Sequence, residues 1–121
     1  KLAELAIEAG NFFKQRNYGK ASTLFEESLK VFPSADAYYY LALCYQEMKD
    51  DENATKILRE GAEKFPRDTT LVKSLGLMLY QKGNEDEAKK VFEELIKLSP
   101  DDRQAKFLIE RMKRATNNKE K

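Results

Sequence analysis

Apolar and small residues recur along this chain at the spacing of one face of an α-helix. The spacing i, i+3, i+4, i+7 occurs in two stripes, Tyr38, Leu41, Ala42, Tyr45 and Val72, Leu75, Gly76, Leu79. The same spacing extended to i+8 begins at three alanines, Ala21, Ala54 and Ala88. A 3.6-residue period predicts amphipathic helices, and the scarcity of proline and glycine disfavours an all-β fold. We therefore predict an all-α protein.

Three prolines divide the chain into similar units. Pro33, Pro66 and Pro100 lie 33 and 34 residues apart. The positions twelve, eight and twenty-four residues before each proline keep one chemical character: Ala21, Ala54, Ala88; Phe25, Leu58, Phe92; and Ala9, Ala42, Gly76. A fixed period of this length indicates helical repeats that bury their apolar faces by stacking. We predict a single array over residues 1–115, with two-helix repeats at about 2–33, 35–66 and 69–100.

The chain after the third repeat predicts one more helix. Its stripe is Ala105, Leu108, Ile109 and Met112, and no second helix follows it. We interpret residues 102–115 as a closing helix that covers the apolar face of the last repeat. The polar residues 116–121 predict a disordered tail.

The turn inside each predicted repeat has its own pattern. Asn17, Asp50 and Asn84 recur sixteen residues before the prolines and are suited to N-caps of the second helices. Gly83 precedes Asn84 and can adopt a left-handed conformation without steric cost. Arg16 and Lys49 occupy the same position in the other repeats, so we expect those turns to be less favourable.

Composition excludes most catalytic chemistry. The 121 residues carry a net charge of +1, no histidine and one cysteine, so the commonest acid–base group and CxxC metal sites are missing. Phosphate-binding glycine motifs are also missing. We predict no enzyme activity, no cofactor and no metal. Cys44 lies in an apolar run and is interpreted as a small buried residue.

The same sequence carries few signals about location. The longest apolar run, residues 37–45, is far shorter than the ~20 residues that cross a bilayer, so we predict no membrane insertion. Acidic residues interrupt the first apolar stretch, which does not resemble a signal peptide. The chain begins without methionine, so we expect a fragment or mature form that has lost any targeting segment. We favour the cytoplasm.

At this point the chain resembles the tetratricopeptide repeat (TPR) family over roughly residues 2–115. The third repeat carries the most complete set, Leu75, Gly76, Leu79, Gly83, Ala88, Phe92 and Pro100. Pentatricopeptide repeats are the runner-up, but their 35-residue period is a poorer match and they lack this proline column. The resemblance implies a right-handed α-solenoid whose first helices line a concave groove. Such a groove holds a peptide or helix of a partner protein, as in a scaffold or adaptor.

The residues that the resemblance assigns to the groove lie outside the core stripes and include several aromatic side chains. They are Phe13, Tyr39, Tyr40, Leu43, Lys73, Leu77, Tyr80 and Phe107, with Ala6 and Gly10 nearby. Taken singly, each aromatic more often packs against a neighbouring helix; taken together, they favour binding of an apolar or amphipathic segment. Tyr40 and Ser74 stand where carboxylate-clamp members of the family have asparagine and arginine, so we predict no such clamp.

Two alternatives remain. The closing helix is basic, with Arg103, Lys106, Arg111, Lys113 and Arg114 against Glu110, which is typical either of a patch for an acidic partner, RNA or a membrane surface, or of a solvated helix end with favourable charge. We favour the solvated helix end and predict no nucleic-acid partner. The array is alternatively a self-associating structural segment of a larger protein, that is, a homo-oligomer.

Overall fold

Seven α-helices account for most of the chain in the computed structural model, which describes the backbone of residues 2–120 and the side chains of residues 4–115. The helices are α1 (Leu2–Lys14), α2 (Tyr18–Val31), α3 (Ala35–Glu47), α4 (Asp51–Lys64), α5 (Thr69–Gln81), α6 (Glu85–Leu98) and α7 (Arg103–Glu120). The described backbone contains no strand. The all-α prediction is confirmed.

The chain forms two compact units, residues 1–65 and residues 66–121. In unit 1, α1 packs on α2, α2 on α3 and α3 on α4; in unit 2, α5 packs on α6 and α6 on α7. The first two predicted repeats therefore fall in unit 1, and the third repeat and the closing helix fall in unit 2. That the repeats form one array stays a prediction.

Short polar side chains begin most of the helices. The backbone N–H of Lys20 donates to Asn17 Oδ1 at 3.3 Å, and that of Asn53 donates to Asp50 Oδ1 at 3.2 Å. These two predicted N-caps are confirmed, because each satisfies an amide that has no partner inside the helix. Asn84 occupies the N-cap position of α6 without a side-chain hydrogen bond. Ser34 caps α3 in the same way.

The three turns inside the repeats share one backbone geometry. Arg16, Lys49 and Gly83 have φ values of 62°, 63° and 85°, which places all three in the left-handed region. Each turn is closed by a hydrogen bond from the following residue to the carbonyl five positions back, at 2.8–2.9 Å, as in a Schellman motif. A side chain in this conformation costs about 1–2 kcal/mol, so the two basic residues adopt the conformation for which we expect a penalty.

Small residues lie where the two helices of a repeat approach most closely. Ala9 and Ala21 are fully buried in unit 1. In unit 2, a Cβ atom added to Gly76 lies 2.6 Å from the Phe92 ring, and Phe92 is itself fully buried. A methyl group here would force the buried Phe92 ring to shift within a closely packed core.

The end of α7 differs from the sequence prediction. The helix continues through residues 116–120 to Glu120, where the sequence predicts a disordered tail, and Lys121 lies outside the described residues. Because no glycine or proline follows Ala115, nothing in the backbone forces the helix to end there. Within the described residues, none of the helices has the length and apolar character needed to cross a membrane.

We expect Gly76→Ala to be less stable than Gly19→Ala by about 1–3 kcal/mol, the usual cost of overpacking a filled core, because both variants replace a helical glycine and gain helix propensity. Urea unfolding followed by circular dichroism measures this change. Gly19→Ala is the matched control, because a Cβ atom at Gly19 meets no heavy atom within 4 Å. Equal unfolding free energies for Gly76→Ala and Gly19→Ala would contradict the packing argument.

Candidate functional site

A cluster of aromatic side chains in unit 1 surrounds Tyr40. The Tyr40 ring lies edge-on to Phe13, with centroids 5.4 Å apart, and stacks on Phe25 at 5.9 Å. Tyr39 contacts Tyr40 edge-on at 5.5 Å, and Tyr18 contacts Phe13 at 5.5 Å. Aromatic pairs in these arrangements stabilise by about 0.5–1.5 kcal/mol beyond the area they bury. The rings of this Tyr40 cluster therefore hold one another in place.

Three helices position the Tyr40 cluster. Phe13 lies in the last turn of α1, Tyr40 in the middle of α3, and Phe25 on α2, against which both α1 and α3 pack. Phe25 is 4% exposed, whereas Tyr40 is 40% exposed. The inner ring thus belongs to the core, and the outer ring presents a face to the surroundings.

A cleft of about 520 Å³ opens beside the Tyr40 cluster. Its lining, called here the unit 1 cleft, consists of Ala6, Gly10, Phe13, Lys14, Phe25, Ser34, Asp36, Ala37 and Tyr40. Most of these residues are apolar, and the two charged residues are of opposite sign. Its volume lies within the roughly 300–1,000 Å³ typical of ligand pockets. The unit 1 cleft is therefore suited to a ligand that is mainly apolar and carries little net charge.

Close packing does not explain why residue 10 is a glycine. It lies in the interior of α1, yet a Cβ atom added there meets no heavy atom within 4 Å. Glycine inside a helix costs about 1 kcal/mol relative to alanine. Because Gly10 has no side chain, the wall of the unit 1 cleft is open at this point, and another chain can approach the α1 backbone closely.

Four of the predicted groove residues lie in unit 2 and have different surroundings. The Lys73 ammonium forms an ion pair with Asp102 at 3.0 Å. Leu77 and Tyr80 are half-buried on α5, and Phe107 on α7 is 63% exposed. In unit 1, Phe13, Tyr39 and Tyr40 are brought together and Leu43 is half-buried on α3. The grouping of all eight residues into one groove stays a prediction.

Asp102 has two structural roles in unit 2. Its Oδ1 accepts a hydrogen bond from the Ala105 backbone N–H at 2.9 Å, and its Oδ2 accepts one from Lys73. The Ala105 bond, followed by the Lys73 ammonium, holds the pKa of the Asp102 carboxyl below its usual value. Lys73 is therefore engaged in fixing the start of α7.

Reactive groups in the described part of the chain are few. Cys44 is fully buried, and burial raises the pKa of its thiol to about 11, which disfavours the thiolate. The prediction that Cys44 is a buried small residue is confirmed. The Tyr45 hydroxyl donates to Glu26, and burial, with this carboxylate, raises the pKa of Tyr45. Residues 4–115 contain no group of acidic, cysteine or histidine side chains arranged to hold a metal ion.

Comparison with known proteins decides the family. Residues 36–102, more than half of the chain, match the family described as YpiA-like, C-terminal tetratricopeptide repeats. This chain belongs to the TPR family. Mouse tetratricopeptide repeat protein 8 is 24% identical to this TPR chain over 86 residues, which is 71% of this chain and 17% of that protein. The TPR chain thus spans a small part of that relative's length.

Solved TPR structures have the same fold. The first TPR of Spaghetti (RPAP3), solved with the HSP90 peptide SRMEEVD, is 19% identical with a TM-score of 0.81, over 97% of this chain and 94% of that one. The Yersinia enterocolitica chaperone SycD, solved with a peptide of the translocator YopD, is 19% identical with a TM-score of 0.82, over 95% and 94%. The predicted α-solenoid class of helical repeat is therefore confirmed. The TPR family is one of interaction modules.

Sequence reasoning missed part of the TPR chain's cleft. Phe25 belongs to a core stripe, and the sequence does not show that its ring also supports Tyr40. Lys14 lies four positions after Gly10, and Asp36 lies four positions before Tyr40. Both charged residues therefore follow the helical spacing of the predicted groove residues. Extending the groove stripe by one turn on each helix would have found both charged residues.

We expect Asp102→Ala to destabilise the TPR chain by about 1 kcal/mol at pH 7, the usual cost of losing an N-cap. Asp102→Asn keeps an acceptor for the Ala105 amide and removes only the charge. Because folding lowers the pKa of Asp102, its ionic contribution is present above the unfolded value of about 3.9 and is lost as the pH falls through the folded value.

Thermal unfolding of the native chain and Asp102→Asn between pH 7 and pH 2 measures this contribution. The native chain is expected to lose more stability than the variant as the pH falls through the acidic range. Identical losses in the two proteins would show that the Asp102 charge does not stabilise the fold.

Proposed function

We propose that this TPR chain is a protein-interaction scaffold that holds a short segment of a partner in the unit 1 cleft. The observation that carries the proposal is the half-exposed Tyr40 ring beside the open, apolar lining of the unit 1 cleft. Two proteins of the same fold have been solved with peptides of partner proteins. Their likeness supports peptide binding as the general function. The residues that line the cleft indicate which kind of peptide is bound.

The lining favours an apolar or amphipathic segment. Phe13, Phe25 and Tyr40 offer aromatic surface to an aliphatic or aromatic side chain, while the Tyr40 hydroxyl can remain hydrated or bond to a peptide carbonyl. Lys14 and Asp36 are the charged groups of the lining, and their opposite signs favour a segment with little net charge. Binding by this route needs no catalysis, and we propose that the chain has none.

We expect Tyr40→Ala to lower affinity for a bound peptide at least tenfold, or about 1.4 kcal/mol, since aromatic anchors of this kind dominate binding energy. The probe is a 12-residue peptide selected from a random phage-displayed library against the full chain, then labelled with fluorescein. Fluorescence anisotropy measures its dissociation constant. Light scattering at several concentrations separates peptide binding from self-association of the chain.

The matched control is Phe32→Ala. Phe32 is an exposed aromatic residue of unit 1 that does not line the cleft, so its removal is expected to change affinity less than twofold. Circular dichroism verifies that both variants are folded. Unchanged affinity of folded Tyr40→Ala would overturn the proposal, as would a loss of equal size in Phe32→Ala.

Gly10→Ala is expected to move stability and binding in opposite directions. The added methyl group meets open space, so α1 gains up to about 1 kcal/mol of helix propensity. The same methyl group narrows the cleft, and peptide affinity is expected to fall roughly tenfold, since one methyl group in a pocket changes binding by about 1–3 kcal/mol. Melting temperature and peptide anisotropy measure the two effects.

Gly19→Ala is the control for Gly10→Ala. A Cβ atom at Gly19 also meets no heavy atom within 4 Å, but Gly19 lies on α2 outside the lining of the unit 1 cleft. Its peptide affinity is expected to equal that of the native chain. If Gly10→Ala also binds normally, the α1 wall is not part of the peptide site.

A further inference from the structure

A second surface of the protein, on α7, combines an exposed aromatic ring with an excess of positive charge. Phe107 is 63% exposed, and it lines a shallow cleft of about 480 Å³ with Lys106, Glu110, Arg111 and Arg114. These five residues are called the α7 patch. A large apolar side chain that is exposed among cations is a feature of contact surfaces, where aromatic residues and arginine are enriched.

Helix geometry places the α7 patch on a fixed support. Phe107, Arg111 and Arg114 follow the spacing i, i+4, i+7 and so share one face of α7. The buried stripe of the same helix consists of Ala105, Leu108, Ile109 and Met112, in the unit where α7 packs on α6. The side chains of the α7 patch therefore project from a helix whose opposite side is held by core packing.

The positive charge of the α7 patch is not neutralised within the described structure. Among the side chains of residues 4–115, Lys106, Arg111 and Arg114 form no ion pair. The one carboxylate of the patch, Glu110, lies 4.0 Å from the Lys113 ammonium outside it. Three cations thus face the surroundings against one carboxylate that has a neighbour of its own.

Because α7 is long, the dipole at its C-terminal end does not explain where these cations lie. Basic residues in the last turn of a helix are stabilised by its macrodipole, and this effect is confined to that turn. Because α7 continues to Glu120, Lys106 and Arg111 lie in its interior. The helix end therefore does not account for their positions, nor for the exposure of Phe107.

We propose that the α7 patch binds an acidic peptide segment that carries an apolar side chain. The apolar side chain packs on Phe107, and carboxylates of the segment pair with Lys106, Arg111 and Arg114. Arginine suits this role because its guanidinium group donates two parallel hydrogen bonds to a carboxylate. The proposal goes beyond the function proposed for unit 1, since the α7 patch lies in unit 2 and selects the opposite chemistry, a charged segment.

The observations favour an acidic peptide over a nucleic acid. A strand of phosphates requires cations along an extended path, whereas the α7 patch occupies one face of one helix and contains a carboxylate. The chain as a whole has a net charge of only +1. The experiment therefore includes a nucleic-acid probe, which separates nucleic-acid binding from peptide binding.

The test compares three fluorescein-labelled probes with the full chain by anisotropy at low and physiological salt. The first is a 12-residue peptide of alternating glutamate pairs and single leucines, the second has serine in place of each leucine, and the third is single-stranded 12-nucleotide oligouridine. The first probe is expected to bind at least tenfold more tightly than either of the others. Preference for oligouridine, or equal binding of the leucine and serine peptides, would overturn the proposal.

Variants locate the site of binding. Phe107→Ala and the double variant Arg111→Glu/Arg114→Glu are each expected to weaken binding of the first probe at least tenfold. The control Lys30→Glu/Lys64→Glu makes the same change in net charge on exposed helix positions of unit 1 and is expected to change it less than threefold. An equal loss in this control would show nonspecific attraction and overturn the proposal.

Tyr40→Ala keeps the two proposals separate. It is expected to bind the first probe as the native chain does, because Tyr40 does not line the α7 patch. Circular dichroism verifies the helix content of all variants. Full affinity in folded Phe107→Ala would overturn the assignment of this site without affecting the unit 1 cleft.

Discussion

The close approach of the two helices in each repeat is the constraint on which the rest of the structure depends. Ala9 and Ala21 in unit 1 leave room for it by being small and fully buried, and Gly76 in unit 2 does so by having no side chain where the Phe92 ring lies. Because side chains at the contact set the distance between helix axes, larger residues at these positions would separate the helices. The flanking core residues would then lose their contacts.

This packing also determines which side chains remain available for binding. The core uses one stripe of each first helix, and two residues of the neighbouring stripe contact it from the side. Phe13 packs against the buried cluster and Tyr40 stacks on Phe25, while Tyr40 keeps an exposed face. On α7 the same division leaves Phe107 outside the buried stripe. Unit 1 thus presents an apolar surface with balanced charges, and unit 2 presents a basic one.

Local patterns in the sequence predict the fold well. They predict the site only in part, because the site depends on tertiary contacts. The helix period, the caps at Asn17 and Asp50, and the left-handed turns all follow from short-range spacing. The end of α7 does not, because the absence of a stop signal after Ala115 is weaker evidence than a glycine or proline. The support that Phe25 gives to Tyr40 depends on the distance between α2 and α3, which no local pattern specifies.

The turns at Arg16 and Lys49 have a consequence for how such repeats diverge. All three turns are closed by backbone hydrogen bonds of the same pattern, so their shape does not require the glycine found at Gly83. A duplicated repeat can lose that glycine and keep its geometry, at a cost that its helix packing must exceed. The strain at Arg16 and Lys49 thus sets a lower bound on the free energy of helix packing in these two hairpins. Across the three repeats of this chain, the small residues Ala9, Ala42 and Gly76 accordingly vary less than the turn residue.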